Sequence, residues 1–284
     1  MSRRCAITHH ATISPPKATT PPRAQGAVRL SVKRYCKASV LDGFRQSGSF
    51  KCLFPRTDGD ALDAVLLNTA GGITGGDSFR LQAQAGKGTT LTLTTQACER
   101  AYKAKPGPSG QVVNHLIAAP GARLNWLPQE TILFDGSALD RRLQIDLAPD
   151  ASALMVEPLI FGRMAMGERL TDIRLRDRIE IRRNGAPLFL DALRFSGDLQ
   201  THLAQPHIAG DAGAMALVAF ASPTAQGQLD AIRQMLPDTA GASLLHRDLL
   251  VIRMLAQNSL ALRRALLPVL RQLNNNTLPR CWTI

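Results

Sequence analysis

The residues of this chain best suited to chemistry are carboxylates held in apolar or glycine-rich company. Asp77 closes the string Asn68-Thr69-Ala70-Gly71-Gly72-Ile73-Thr74-Gly75-Gly76-Asp77. Its two Gly-Gly pairs permit positive φ and close backbone approach, which either leaves amides free to face an anion or another chain, or makes a double turn between strands. Glu157 lies within residues 154–161 and Asp191 within 188–193, both apolar enough to read as strands covered on two faces. A carboxylate placed there must find an arginine or a metal, or its pKa rises by desolvation. Glu99 and Tyr102 follow the strand-like run 89–95, and Glu130 sits in the turn Pro128-Gln129-Glu130, where an acid is ordinarily solvated. Gly162-Arg163-Met164-Ala165-Met166-Gly167-Glu168 repeats glycine-then-charge at a five-residue interval, a spacing that lets Arg163 and Glu168 pair across a turn.

Enzyme templates do not organise these residues. There is no G-x-S-x-G, no H-E-x-x-H, no G-x-G-x-x-G, and Gly86-Lys87 has leucine where a P-loop needs glycine. His202 and His207, five apart around Pro206, could ligate a metal. With Asp77 and Glu157 they make a metal-dependent hydrolase one alternative reading. The five cysteines, Cys5, Cys36, Cys52, Cys98 and Cys281, contain no C-x-x-C and are odd in number, which fits reduced thiols in a cytoplasm. Cys36, Cys52 and Cys98 read as small buried hydrophobes.

The elements that must position these groups are mostly strands. Residues 89–95, 123–127, 131–134, 142–147, 154–161, 173–183, 188–195 and 214–220 are β-branched or alternating, and Gly, Pro, Asn or Asp closes each. Asn184-Gly185 is the sharpest turn signal, since a two-residue type I′ hairpin needs positive φ twice. Helical periodicity comes late, at 228–236 and 259–273, and Pro268 should kink or restart the second helix. Strands first and helices last argue for a mainly β protein with a small helical C-terminal part.

A net charge of +12 with pI ≈ 10.3 suggests a nucleic-acid-binding protein as a second alternative. Residues 1–37 hold eight basic and no acidic residues, however, which leaves only +4 for the rest. No interleaved aromatics or zinc-finger spacing support nucleic acid. Residues 1–26, rich in Pro, Thr and Ala, read as a disordered basic leader, and 27–284 as a single domain. Apolar runs such as 215–221 fall far short of the ~20 residues of a membrane span.

Taken in order, the glycine-rich string, Thr94-Thr95-Gln96-Ala97-Cys98-Glu99-Arg100-Ala101-Tyr102, Leu127-Pro128-Gln129-Glu130-Thr131-Ile132-Leu133-Phe134, Gly162 to Glu168, Gly241-Ala242-Ser243 and Leu278-Pro279-Arg280-Cys281-Trp282 resemble the urease accessory protein D family (UreD, called UreH in some organisms). The resemblance runs from about Val28 to the C-terminus. It implies a β-helix-like, two-sheet scaffold of many short strands with a few helices, acting as a non-catalytic maturation factor. The implied partners are apo-urease and the accessory proteins F and G, the latter a GTPase, with neither nucleic acid nor membrane, and with room for a homodimer within the complex. The implied role is delivery of nickel to the carbamylated-lysine centre of urease. Nickel would pass transiently, with no tightly bound cofactor, because a conduit needs weak exchangeable sites, whereas storage wants clustered imidazoles or thiolates. Asp77, Glu99, Glu157 and Asp191 are then the expected interior route, with Glu130 and Glu168 behind them. Gly71, Gly72, Gly75, Gly76, Tyr102, Glu130, Arg163 and Glu168 are expected as structural or partner motifs.

Overall fold

The computed structural model describes residues 22–57 and 59–283. The chain runs through β1 (Gln25–Tyr35), β2 (Ala38–Gly48), β3 (Phe50–Leu53), β4 (Leu62–Asn68), β5 (Ser78–Ala85), β6 (Thr90–Thr95) and β7 (Glu99–Ala101). It continues through β8 (Gly110–Ala118), β9 (Arg123–Leu127), β10 (Thr131–Leu133), β11 (Ala138–Leu147), β12 (Ser152–Phe161), β13 (Ile173–Arg183) and β14 (Ala186–Gly197). The last elements are α1 (Leu199–Leu203), β15 (Ala214–Ala221), α2 (Ala225–Met235), β16 (Ala240–His246), β17 (Leu249–Ala256) and α3 (Ser259–Leu273).

Two sheets result, a seven-stranded one in the order β14-β13-β11-β8-β5-β1-β2 and a ten-stranded one whose main path is β16-β17-β15-β12-β9-β6-β4-β3, with β10 pairing β12 off that path and β7 pairing β10. Between β4 and β13 the long strands alternate from one sheet to the other. Ser78 therefore lies beside Gln111, and Thr90 beside Arg123, in parallel register. Parallel neighbours need a long crossover, usually a helix. Here the opposite sheet's strand is the crossover, so the fold is a mainly β, solenoid-like scaffold with a few helices, as the resemblance implied.

Alternation along the strands decides which side chains meet between the sheets. On β12, Met155, Leu159 and Phe161 join the inter-sheet cluster, whereas Leu154, Val156 and Ile160 face a second cluster under α2 and α3. β12 is thus buried on both faces, as its unbroken apolar run requires. The Asn184-Gly185 hairpin forms as expected, with φ of 51° and 78°. α3 spans the expected residues and continues through Pro268 without restarting, and Asn258 caps it by accepting from the Ala261 amide.

Some expectations need correction. β1 and β2 precede the region read as strands, and the β16–β17 hairpin separates α2 from α3, so strands and helices interleave near the end. β1 also begins at Gln25, inside the stretch read as a leader, while residues 1–21 lie outside the described residues. Cys52 is buried, and its thiol is pushed up to about 12 by burial, but Cys36 is exposed in the β1–β2 turn at φ 52° and Cys98 is half-buried.

Candidate functional site

The inner faces of β11 and β13 each carry one charged residue in an otherwise aliphatic row. On β11, Leu139, Leu143, Ile145 and Leu147 point inward together with Arg141, and on β13, Ile173, Leu175, Ile179 and Ile181 flank Asp177. Glu157 occupies the equivalent inward position on β12. Arg141, Glu157 and Asp177 are 6%, 4% and 5% exposed, so they must satisfy one another. The Arg141 Nε donates to Asp177 Oδ1 at 3.0 Å, and its Nη1 lies 2.6 Å from Glu157 Oε2 and donates to Thr131 Oγ1 at 3.2 Å. Trp126 Nε1 on β9 donates to Glu157 Oε1 at 2.6 Å.

One arginine cannot neutralise two carboxylates. Burial raises the pKa of Glu157 and Asp177 raises it further, while Arg141 and the Trp126 hydrogen bond only partly offset this, so the carboxyl is pushed up to about 7. Burial opposes the Arg141 charge as well, but Asp177 and Glu157 outweigh it and hold the guanidinium protonated.

This cluster borders a cavity of about 70 Å³ between the sheets, whose lining includes Glu99, Asn114, Trp126, Gln129, Arg141 and Glu157. Asn114 Oδ1 and Gln129 Nε2 are buried there without a hydrogen-bond partner among the described residues. Two orphaned polar atoms in a space of this size mark a wet cavity, because a buried amide needs water or an ion where protein does not reach it. The Glu99 pKa is raised, chiefly by burial, against hydrogen bonds from the Asn68 side chain and the Arg100 amide.

A wall separates this cavity from a second one of about 580 Å³ that opens near the start of α3. Adjacent residues of an extended chain point to opposite sides. Accordingly Glu99 and Gln129 line the inner cavity, whereas their neighbours Cys98 and Glu130 line the outer one. Glu130 is 4% exposed rather than solvated, accepting from Arg263 Nη1 at 3.1 Å and lying 3.2 Å from the Cys98 thiol. Arg263 also caps the Trp282 ring, at 5.0 Å from its centroid, and donates to Gln129 and to the Cys281 carbonyl.

The other expected residues are placed as follows. Asp77 is buried, but its carboxylate accepts from the Thr74 and Ala24 amides at 2.8 and 2.9 Å and so closes its own loop. That loop is packed rather than open. A Cβ on Gly72, at φ 154°, would fall 2.3 Å from the Tyr102 ring, and one on Gly75 would fall 2.8 Å from the Pro108 carbonyl. Gly71 and Gly76 supply positive φ. Asp191 shares the inward alternation of Phe189, Leu193 and Phe195 but lies outside the cavity lining, in an ion pair with Arg253 that joins β14 of one sheet to β17 of the other. Arg163 and Glu168 pair at 2.9 Å across their turn, and the Arg163 guanidinium lies 4.3 Å from the Phe134 centroid, with Tyr102 edge-on to the same ring.

His202 and His207 are exposed, and among the described residues no three His, Cys, Asp or Glu side chains are grouped to hold a metal ion, so the hydrolase constellation does not assemble. Arg141 and Asp177 were missed by sequence reasoning. Asp177 was legible, since in Ile173–Arg183 it stands on the aliphatic side of a strict alternation.

Two sheets whose long strands alternate along the chain in parallel register, with a charged cluster between them, define a mainly β, solenoid-like fold. The family model described as UreD urease accessory protein matches residues 24–283. Urease accessory protein UreD of Ruegeria pomeroyi is 60% identical over 90% of this chain and all of the relative, and that of Roseobacter denitrificans 51% over 93% and 96%. The Rhizobium etli protein of the same name is 40% identical over 94% and 98%. The chain belongs to the UreD family of urease accessory proteins.

Proposed function

We propose that this protein assists maturation of the urease nickel centre as a non-catalytic scaffold and a conduit for the metal, placed in the cytoplasm between the accessory GTPase complex, proteins F and G, and apo-urease. The observation that carries the conduit is the inter-sheet cavity, where Glu99 and Glu157 stand beside the unpartnered Asn114 Oδ1 and Gln129 Nε2. Nickel is the cargo. Carboxylates with water bind a first-row divalent cation weakly enough to release it, which imidazole or thiolate clusters would not. A carboxyl that titrates near neutrality can give up its proton as the cation arrives and regain it as the cation leaves. Glu130 and Cys98 on the far side of the wall extend the polar route toward the outer cavity. Asp77 and Asp191 serve the frame, through the closed loop and the ion pair between the sheets.

The family name describes an accessory protein, and among the described residues no helix is long and apolar enough to cross a membrane. The test is co-expression with the urease subunits and the other accessory proteins, reading urease activity and nickel per active site. Glu157→Gln and Glu99→Gln should lower both while the partner complex still forms. Full nickel occupancy in the double variant would refute the route.

A further inference from the structure

The wall between the two cavities carries a cation of its own. Arg263 Nη1 donates to Gln129 Oε1 at 2.9 Å and to Glu130 Oε1 at 3.1 Å, while the Cys98 thiol donates to Glu130 Oε2 at 3.2 Å. One positively charged nitrogen thus sits on two oxygens, with a sulfur on the far side of the same carboxylate. An amide carbonyl, a carboxylate and a thiol are donors for a first-row divalent cation, and the guanidinium holds the place such an ion would take. The donors are fixed by their own backbone, since the Gln129 amide donates to Thr95 Oγ1 and the Glu130 carbonyl accepts from the Glu99 amide. Gln129 is buried and spans the wall. Its Oε1 is taken by Arg263, whereas its Nε2 is left unpartnered and the residue lines the inner cavity.

The arginine is also held from a second side. Its Nη2 donates to the Cys281 carbonyl at 3.1 Å, and the guanidinium lies over the Trp282 ring. Nη1 can therefore leave Gln129 and Glu130 while Nη2 and the ring keep the side chain attached, so its local concentration at the donors stays high. A divalent cation that reaches Glu130 beside this fixed positive charge is repelled, and it binds only in the fraction of molecules whose arginine has swung off. Where that fraction is about a tenth or less, the apparent affinity falls at least tenfold. The other guanidinium lining this cavity, that of Arg163, is already engaged by Glu168 and the Phe134 ring.

We propose that Gln129 Oε1, Glu130 and Cys98 form an exchange site for a divalent cation at the outer end of the route, and that Arg263 is its tethered competitor, an inference that rests on the function proposed above for its cargo. On binding, a metal–sulfur bond forms as the Cys98 S–H bond breaks and its proton passes to water. The Arg263 hydrogen bonds to Gln129 and Glu130 break in the same step, and no electron is transferred. Return of the arginine reverses each change and expels the ion.

The purified full chain is titrated with CdCl2, whose bond to a thiolate absorbs in the ultraviolet, and with NiCl2 in equilibrium dialysis. The signal is the part lost in Cys98→Ser, because other cysteines also take cadmium. Arg263→Gln removes the competitor, Arg263→Lys keeps a tethered positive charge, and circular dichroism checks folding.

In the wild type, the expected result is a Cys98-dependent band together with a change in tryptophan emission, since the guanidinium over Trp282 must shift. Arg263→Gln should bind both cations at least tenfold more tightly, Arg263→Lys should stay nearer the wild type, and adding Glu130→Gln should abolish the gain. The wild type alone can overturn the site, whether or not the variants fold, if saturating cadmium raises no Cys98-dependent band or raises it with the emission unchanged. Equal affinity in the wild type and folded Arg263→Gln overturns the competitor. Co-expression of Arg263→Gln with the urease subunits and the other accessory proteins separates this from the route itself. Lowered urease nickel with the metal retained on this chain supports both, whereas a Cys98-dependent gain in affinity with full urease nickel upholds the exchange site and refutes the conduit.

Discussion

Replacing Glu157 by glutamine tests the buried cluster quantitatively. Glutamine keeps the shape and can still accept from Trp126 Nε1, but it does not titrate. Burial pushes the wild-type carboxyl up to about 7 in the fold, against an ordinary glutamate value of 4.5. Because the folded state holds this proton to higher pH, its contribution to stability is fully present below pH ~4.5 and is lost as pH rises through 7. The gap between the two values corresponds to about 3 kcal/mol, most of which falls between pH 5 and 8.5. Titrating groups remote from the cluster are common to both proteins and cancel in the difference, whereas Asp177 is relieved of a neighbouring charge in the variant, which adds to the effect in the same direction. The glutamine variant should therefore gain about 2–3 kcal/mol relative to wild type across that range, equivalent to roughly 5–8 °C in Tm for a chain of this size. Thermal unfolding followed by tryptophan fluorescence at pH 5, 6.5 and 8.5 reads it directly. Parallel pH profiles for the two proteins would show that Glu157 is ionised throughout and that Arg141 alone balances both carboxylates.

Arg141→Met should cost about 3–5 kcal/mol near neutral pH, because Asp177 and Glu157 are left buried without a counter-charge, and the loss should shrink in acid; denaturant titrations at pH 5 and 8 check it. Arg263→Ala strands the buried Glu130 and uncovers Trp282, which predicts about 3 kcal/mol of destabilisation and a red-shifted tryptophan emission, whereas an unchanged spectrum would refute the contact. Gly72→Ala should destabilise by about 2 kcal/mol or more, with partial rescue by Tyr102→Ala, since the tyrosine ring is the first atom group the new methyl meets; a double-mutant cycle measures the coupling. At pH 8 Cys36 should alkylate quickly and Cys52 only on unfolding, as timed by mass mapping of iodoacetamide adducts.

Much of the scaffold was legible because its strands are short, alternating and closed by turn residues. β9 and β13 match the expected limits, and the Asn184-Gly185 turn follows from backbone sterics alone. β2 was not legible for an equally physical reason. It is the edge strand and leaves most of its residues exposed, so no apolar face repeats along it, whereas β1, one strand in, does alternate Val28, Leu30 and Val32 inward and was overlooked beside the basic leader. The site divides similarly. Glu157 stood out because its strand is apolar on both sides. Arg141 was legible on the same ground as Asp177, since it stands in the inward alternation of Leu139, Leu143, Ile145 and Leu147 while Arg142 stands on the other side, but the strand was read as starting only at residue 142. Glu130 looked like a turn acid because its partner, Arg263, is 133 residues away.

The C-terminal residues fasten onto strands made long before them. Trp282 Nε1 donates to the Leu127 carbonyl, and Arg123 donates to the Leu273 carbonyl and to Asn274, across 155, 150 and 151 residues of chain. During vectorial synthesis, β9, β12 and β15 can pair as soon as they leave the ribosome, yet the aliphatic cluster on their outer side stays uncovered until α3 and Trp282 emerge. The nascent chain therefore spends most of the second half of its elongation with a sticky flank. Contacts so distant in sequence also close slowly. Truncation by even a few residues at the C-terminus should cost yield in the cell far more than its share of the folded contacts would suggest, and slower translation would not relieve it.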